Sequence, residues 1–122
     1  MARVLIVDDA PETRLLVRTL LTHAGHEVFE AADGAVALSS AMEHKPDLVL
    51  LDFSMPAMSG PELIRALRAD PHVRRTVVAL YTATAMNPAL RDFMEMYQIL
   101  HVIPKPSEPL ELLSAVERAL TS

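Results

Sequence analysis

Five polar side chains follow apolar runs of this chain at positions that favour phosphoryl chemistry. Asp8 and Asp9 end the first such run, and Asp52 ends a later one. Thr82 and Lys105 follow two further runs. Three carboxylates at one point repel one another unless a cation such as Mg²⁺, which prefers oxygen ligands, neutralises them. We therefore predict that Asp8, Asp9 and Asp52 hold Mg²⁺, that Asp52 attacks phosphorus, and that Thr82 and Lys105 contact the phosphoryl oxygens.

These side chains need elements that bring distant parts of the sequence to one point. Apolar runs of strand length alternate five times with segments of helical period, which is typical of βαβ units around a parallel sheet. The expected strands lie near 3–7, 27–31, 47–51, 77–81 and 100–103. The fold class is therefore α/β, a doubly wound (βα)5 fold with helices on both faces. In strand order 2-1-3-4-5, we expect the ligand site between the carboxyl ends of strands 1 and 3, which the three aspartates follow.

Prolines and a glycine mark the predicted helix ends. Pro61, Pro88 and Pro109 suit first helical turns, and Gly25 suits the C-terminal cap of helix 1. The predicted apolar face of helix 1 consists of Leu16, Val17, Leu20, Leu21 and Ala24, and that of helix 2 of Val36, Leu38, Ala41 and Met42.

Composition limits the classes of function. The 122 residues suit one domain spanning 1–122, and the net charge of -5 argues against direct nucleic-acid binding, which needs a basic surface. No apolar stretch reaches membrane-span length, no cysteine is present, and no signal-like segment begins the chain. We therefore expect a cytoplasmic protein that binds neither membranes nor nucleic acid.

Each signal also has a simpler explanation when it is taken alone. Asp9 and Glu12 have the spacing of a capping box for helix 1. A solitary Asp52 or Lys105 is more often solvated than reactive, and Thr82 can simply end a strand. The five histidines lack metal-ligand spacing. The coincidence of all five polar positions is what favours a reactive site.

At these residues, and over essentially its whole length, the chain resembles the CheY-like receiver domains of two-component response regulators, which have a flavodoxin-like fold. The resemblance rests on four segments of the sequence. They are the Asp8-Asp9 pair, Asp52 followed by Met55-Pro56 and Gly60, Thr82-Ala83, and Lys105-Pro106. It implies that Asp52 accepts a phosphoryl group from a histidine kinase or phosphotransferase and that the domain signals to a downstream protein or output domain.

The resemblance also implies finer details. The backbone carbonyl of Ser54 is a further Mg²⁺ ligand, and the Lys105-Pro106 bond is cis. A kinase or phosphotransferase docks across helix 1 and the loop after strand 5, and Leu15 on helix 1 is a candidate exposed anchor. Whether a homodimer forms stays open.

The chain departs from the family pattern at its switch. Val102 stands where many relatives carry Tyr or Phe, Gln98 and Ile99 stand where they carry Gly and Ala, and Ser107 replaces an aromatic. Pro104 removes an N–H at the end of strand 5, which an edge strand tolerates. We predict a modest or differently routed change at helices 4 and 5 and strand 5.

The same residues are compatible with other classes of function. The departures make a phosphorylation-independent interaction module an alternative. An aspartate-nucleophile phosphatase needs a second carboxylate two residues after Asp52, where Ser54 stands, and an FMN-binding protein needs a Ser/Thr-rich loop after strand 1. We therefore expect no enzyme activity beyond self-catalysed phosphorylation and dephosphorylation.

Overall fold

Ten elements alternate along the chain, five strands and five helices. The computed structural model describes residues 2–53, 60–83 and 85–121. The elements are β1 (Arg3–Val7), α1 (Pro11–His23), β2 (Glu27–Ala31), α2 (Gly34–His44), β3 (Leu48–Leu51), α3 (Gly60–Ala69), β4 (Val77–Thr82), α4 (Pro88–Met96), β5 (His101–Pro104) and α5 (Pro109–Leu120). None of the helices in these ranges has the length and apolar character needed to cross a bilayer.

The five strands form one parallel sheet in the order β2-β1-β3-β4-β5. The predicted α/β class, strand order and doubly wound topology are therefore confirmed. The predicted strand limits differ from the observed ones by one residue at most. Strand β5 is an edge strand, which explains how Pro104 is accommodated without a backbone donor.

Two apolar layers cover the two faces of the sheet because side chains alternate along each strand. One layer joins the strands to α2, α3 and α4, and it includes Leu5, Val7, Val49, Leu51 and Leu80. The other joins them to α1 and α5, and it includes Val4, Ile6, Leu48, Leu50 and Ala79. Strand β3 is buried along its whole length, which is typical of a central strand in a parallel sheet.

Helix starts follow the predicted proline signals in three cases, since Pro61 is the second residue of α3, Pro88 opens α4 and Pro109 opens α5. The start of α1 differs from its predicted capping signal. Asn87 is the N-cap of α4, where its side chain accepts a hydrogen bond from the Leu90 N–H, and Pro109 opens α5. The predicted capping box of Asp9 and Glu12 is wrong, because Asp9 is not the N-cap residue of α1. Ala10 is the N-cap of α1 and makes no side-chain capping bond, because the chain turns one residue later than the spacing implies.

The predicted apolar faces of α1 and α2 were partly wrong. In α1 the buried residues are Val17 and Leu21, while Leu16 is half exposed. In α2 the alanines Ala37 and Ala41 face the sheet, and Val36 and Met42 are exposed. Ala24 of the predicted α1 face is also exposed. In α2 the small side chains of Ala37 and Ala41 take the buried face, so the larger residues one position away point outward.

Candidate functional site

Backbone hydrogen bonds extend the sheet by one residue at the ends where the acids lie. The Asp52 N–H donates to the Val7 carbonyl over 2.9 Å, and the Asp8 N–H donates to the Ala31 carbonyl over 3.1 Å. Val7 and Leu51 are register partners in adjacent parallel strands, so the residues that follow them leave the sheet side by side. The ladder itself therefore positions Asp8 and Asp52 as neighbours.

Three carboxylates meet at this point. Asp8, Asp9 and Asp52 each place an oxygen within 4.8 Å of the others. Asp8 is buried, Asp52 is partly buried and Asp9 is exposed. Within the described ranges, this is the only group of three or more acidic, His or Cys side chains with metal-ligand spacing. The structure thus brings together the three acids that the sequence singled out.

Lys105 supplies a positive charge inside this acid cluster. Its Nζ lies 2.6 Å from Asp8 Oδ2 and 3.5 Å from Asp52 Oδ2. Burial lowers the pKa of Lys105, but the hydrogen bond and charge of Asp8, followed by those of Asp52, outweigh burial and raise the pKa above its usual value. The Lys105 ammonium therefore stays protonated at neutral pH and links the two acids.

The same ammonium contacts the ring below it. Lys105 Nζ lies 5.1 Å from the centroid of Tyr81, a distance suited to a cation–π contact. Burial raises the pKa of Tyr81, Lys105 opposes that shift, and Asp8 adds to it. Tyr81 therefore stays a neutral phenol and forms an uncharged wall beside the acid cluster.

Thr82 completes the arrangement at the end of β4. It is buried, and its carbonyl accepts a hydrogen bond from the Lys105 N–H over 3.0 Å. Thr82 also pairs in register with Pro104, so Lys105 leaves β5 one residue beyond the end of β4. The Lys105-Pro106 bond is cis, as predicted. The predicted metal ligand Ser54 lies outside the described residues.

Sequence reasoning missed the group that holds the first acid in place. Arg14 Nη1 donates to the Asp8 carbonyl over 2.7 Å, and Arg14 Nε pairs with Glu30 over 3.1 Å. Glu30 also pairs with Arg18 over 2.6 Å. In the sequence both arginines lie close to Leu15, with nothing to connect them to Asp8. Their spacing of four residues on one helix face was the available signal, since it lets both guanidinium groups reach a single carboxylate.

Gly60, the first residue of α3, is glycine for a steric reason. A Cβ on Gly60 would lie 2.9 Å from the Phe53 carbonyl oxygen, which is closer than such atoms approach. Phe53 follows Asp52 directly, so any larger residue at position 60 would displace the backbone beside the predicted nucleophile. The Gly60 signal of the sequence therefore reflects close packing of α3 against the end of β3.

Two positions that depart from the family pattern, Val102 and Gln98, lie close to α4 in sequence or in the apolar core. Val102 is partly buried against the apolar layer that includes α4. Gln98 has a φ of 58°, which is the left-handed conformation that favours glycine. Rings form a row from Phe53 to Phe93 of α4, with centroids 5.7 Å apart, and on to Tyr97 at 4.7 Å. This row links the residue after Asp52 to α4.

The donor set suits a hard divalent cation. All three groups offer carboxylate oxygens, and with the Lys105 ammonium the four side chains carry a formal charge of three negatives and one positive, or -2. Mg²⁺ is commonly held by one or two carboxylates together with waters and phosphate oxygens. The exposed Asp9 and the partly buried Asp52 leave one side of the cluster accessible to such a ligand.

Sequence comparisons agree with this geometry. A family model of the response regulator receiver domain matches residues 4–117. The chain is 31% identical over 119 residues to sporulation initiation phosphotransferase F of Bacillus subtilis, covering 97% of this chain and 93% of that protein. It is 33% identical over 123 residues to the chemotaxis protein CheY of Thermotoga maritima, covering 95% of each.

Solved structures show the same similarity. The chemotaxis protein CheY4 of Vibrio cholerae superposes with a TM-score of 0.90 at 33% identity, covering 98% of both chains. The receiver domain of a sensor histidine kinase from Pseudomonas aeruginosa PAO1 has a TM-score of 0.86 at 27% identity, covering 99% of this chain and 98% of that one. That structure holds a magnesium ion in its active site cleft.

Proposed function

Because this chain belongs to the response regulator receiver domain family of two-component signalling, we propose that it accepts a phosphoryl group on Asp52 and signals by changed protein binding. The observation that carries the proposal is the convergence of three carboxylates and Lys105 at the carboxyl ends of the central strands. The donor is the phosphohistidine of a histidine kinase or of a phosphotransferase, and the receiver of the signal is a downstream protein or output domain.

The proposed transfer is an in-line displacement at phosphorus. An Asp52 carboxylate oxygen forms the new O–P bond, while the P–N bond to the donor's imidazole breaks and its electron pair stays on the nitrogen. Because 14% of the Asp52 side chain is accessible, a donor can approach this carboxylate from solvent. Charge repulsion between the carboxylate and the phosphoryl oxygens is the barrier that the site must lower.

Lys105 lowers that barrier from within the chain. Its ammonium lies 3.5 Å from Asp52 Oδ2 and is therefore close enough to form an ion pair with a negative phosphoryl oxygen once the adduct forms. Thr82, at the adjacent strand end, contributes a hydroxyl to another phosphoryl oxygen. Asp8, Asp9 and Asp52, with the Ser54 carbonyl, would hold Mg²⁺. When bound, Mg²⁺ supplies further charge neutralisation at the phosphoryl oxygens.

The proposed chemistry stops at the chain's own aspartate. Phosphorylation and hydrolysis of the aspartyl phosphate are self-catalysed, and the chain turns over no separate substrate. The alternative of a phosphorylation-independent interaction module would use the same fold without the adduct, so adduct formation distinguishes the two.

The first test follows intact mass after incubation with acetyl phosphate and Mg²⁺. We expect the wild type to gain one phosphoryl group, Asp52→Asn to gain none, and chelation of the metal to prevent the gain. Asp92→Asn is the matched control, since Asp92 is an exposed carboxylate of α4 outside the acid cluster. An unmodified wild type, under conditions that modify a known receiver, favours the interaction module.

A second test concerns the partner surface on α1. Leu15 is 66% exposed and Leu16 is 50% exposed, so the two leucines form an apolar pair on the surface. Arg14 and Arg18 beside them are held by Glu30, which gives this patch a fixed border. We propose that a helix of the kinase or phosphotransferase packs on Leu15.

Leu15→Asp should slow phosphotransfer from the cognate protein donor at least about tenfold, since a central anchor side chain typically contributes about 2 kcal/mol or more and about 1.4 kcal/mol is already tenfold. Phosphorylation by acetyl phosphate should continue at the wild-type rate, because Leu15 is an exposed side chain of α1 and not a member of the acid cluster. Met96→Asp, which changes an apolar residue of similar exposure at the end of α4, is the control. Equal loss with both phosphoryl donors would show that Leu15 acts on the fold instead of on docking.

A further inference from the structure

A cavity of about 690 Å³ lies away from the acid cluster, along one face of α4. It opens beside Thr76 and Val77 at the start of β4 and beside Leu100, which precedes β5. The acid cluster lies at the opposite, carboxyl ends of the strands. The volume is within the range of about 300–1,000 Å³ that is usual for small-molecule sites.

Apolar side chains form the floor of this cavity, which we call the arginine pocket because of its rim. Val77, Met94, Ile99 and Leu100 contribute the apolar surface, and Met86 closes the end next to the start of α4. Leu100 is 77% exposed and Met86 is 45% exposed, so part of this surface faces water. A ligand with an apolar body would therefore remove these groups from water on binding.

Four guanidinium groups surround the floor. They belong to Arg68, Arg74, Arg75 and Arg91, with Glu95 as the one acidic neighbour. The chain has 11 basic residues and a net charge of -5, so four arginines at one cavity reverse the overall charge locally. Among the ion pairs of the described ranges, none involves these four arginines.

Arg68 holds the base of the arginine pocket without a carboxylate. Its Nε donates to the Tyr97 carbonyl over 2.8 Å, and its Nη1 donates to the carbonyls of Arg74 and Thr76 over 2.9 and 2.7 Å. Burial lowers the pKa of Arg68, which shows that its charge is partly removed from water. An anion placed nearby would restore the favourable interaction that the charge loses with solvent.

We propose that the arginine pocket binds a small organic anion, with an aromatic or acyl body on the floor and an acidic group at Arg74, Arg75 and Arg91. Guanidinium groups match the planar geometry of carboxylate, phosphate and sulfonate groups. Concave shape and drug-sized volume favour a small molecule over a flat protein surface. The proposal does not depend on phosphorylation of Asp52.

The test uses two probes with nearly the same apolar body. 1-Anilinonaphthalene-8-sulfonate carries a negative charge, and N-phenyl-1-naphthylamine lacks it. Each probe is titrated into the full chain labelled with ¹⁵N while amide chemical shifts are followed. We expect the sulfonate to shift the amides of Val77, Gln98 and Ile99, to leave those of Asp8 and Asp52 unchanged, and to bind at least about tenfold more tightly than the neutral probe.

Charge-removing variants assign the binding to the rim. Arg75→Gln, and then the pair Arg75→Gln with Arg91→Gln, should weaken sulfonate binding, by about tenfold for the pair. Both arginines are exposed, so the melting temperature should stay near that of the wild type. Arg118→Gln on α5 is the matched control and should bind as the wild type does. Arg68 is not substituted, because its guanidinium donates hydrogen bonds to backbone carbonyls that hold the loop before β4 in place.

Three results would overturn the proposal. Equal affinity for both probes would show that charge plays no part, and amide shifts outside the arginine pocket would place the site elsewhere. A glutamate-rich peptide that binds these amides more tightly than the sulfonate would assign the surface to an acidic protein partner. Asp52→Asn should bind the sulfonate with wild-type affinity although it cannot be phosphorylated. The sulfonate titration and the phosphorylation assay therefore test the two proposals separately.

Discussion

The acid cluster and the arginine pocket use charge in opposite ways. In the acid cluster, unlike charges lie in short contact, with Lys105 Nζ 2.6 Å from the buried Asp8. In the arginine pocket, like charges surround an apolar floor, and Arg68 is held by carbonyl groups. Charges in the acid cluster are therefore coupled to one another and to folding, whereas the guanidinium groups of Arg74, Arg75 and Arg91 in the arginine pocket face solvent.

Their origins in the sequence differ as well. Asp8 and Asp52 each follow the last residue of a strand, and backbone hydrogen bonds set their positions. The rim of the arginine pocket comes from the end of α3, the loop after it and the outer face of α4. Residues that follow parallel strands must meet at one edge of the sheet, while helix and loop residues meet only where packing brings them together.

The largest expected contrast comes from removing one charge at each place. Lys105→Met leaves the buried Asp8 carboxylate without its ammonium, so we expect the free energy of unfolding to fall by about 3 kcal/mol. Arg75→Met removes an exposed charge and should change that free energy by less than about 0.5 kcal/mol. Urea denaturation at neutral pH, without Mg²⁺, measures both.

A double variant separates charge from packing in this contrast. Asp8→Asn combined with Lys105→Met removes both members of the pair and should recover most of the loss. If the double variant is as unstable as Lys105→Met, the lysine stem and not the charge accounts for the loss. Equal losses for Lys105→Met and Arg75→Met would remove the distinction between the two regions.

A somewhat smaller contrast is expected from Mg²⁺. At a concentration one hundred times its Kd, Mg²⁺ should raise the free energy of unfolding of the wild type by about 2.7 kcal/mol through binding to the folded state. Thermal denaturation with Mg²⁺ and with a chelator measures the gain. The pair Arg75→Gln with Arg91→Gln should keep it, because no carboxylate of the acid cluster changes.

Single acid variants locate this gain. Asp9→Asn and Asp52→Asn should each reduce the Mg²⁺ gain relative to their own metal-free stability, whereas Asp92→Asn should retain it. An undiminished gain in both acid variants would place the metal elsewhere.

The smallest effect concerns the backbone at the arginine pocket. Gln98 has a φ of 58°, a conformation that costs a side-chain-bearing residue roughly 1–2 kcal/mol. Gln98→Gly should relieve that cost, offset in part by the freedom of glycine in the unfolded chain, for a net gain of about 0.5 kcal/mol. Urea denaturation measures the change.

Two glycine variants test this explanation. Lys45→Gly should also stabilise the fold, since Lys45 has a φ of 47° at the end of α2. Glu95→Gly, inside α4, should destabilise it by about 1 kcal/mol because helical positions disfavour glycine. Destabilisation by Gln98→Gly would show that its side-chain contacts outweigh backbone strain.

Much of the fold was predictable from local pattern. Apolar runs located all five strands to within a residue, and Pro88 and Pro109 located helix starts. Burial of the helices was less predictable, as Leu16 and Val36 show, because several apolar residues compete for one buried face and close packing selects among them. The Asp9 capping box failed because a spacing motif does not specify where the chain turns.

The sequence by itself determined which side chains leave the strand ends, because strand periodicity and the crossover rule are local and general. It therefore identified Asp8, Asp52 and Lys105 as neighbours although Lys105 and Asp8 are 97 residues apart. Only the tertiary structure decided that Arg14 holds the Asp8 backbone and that four arginines surround one cavity. Those contacts depend on how helices and loops pack, which charged surface residues do not reveal in a sequence.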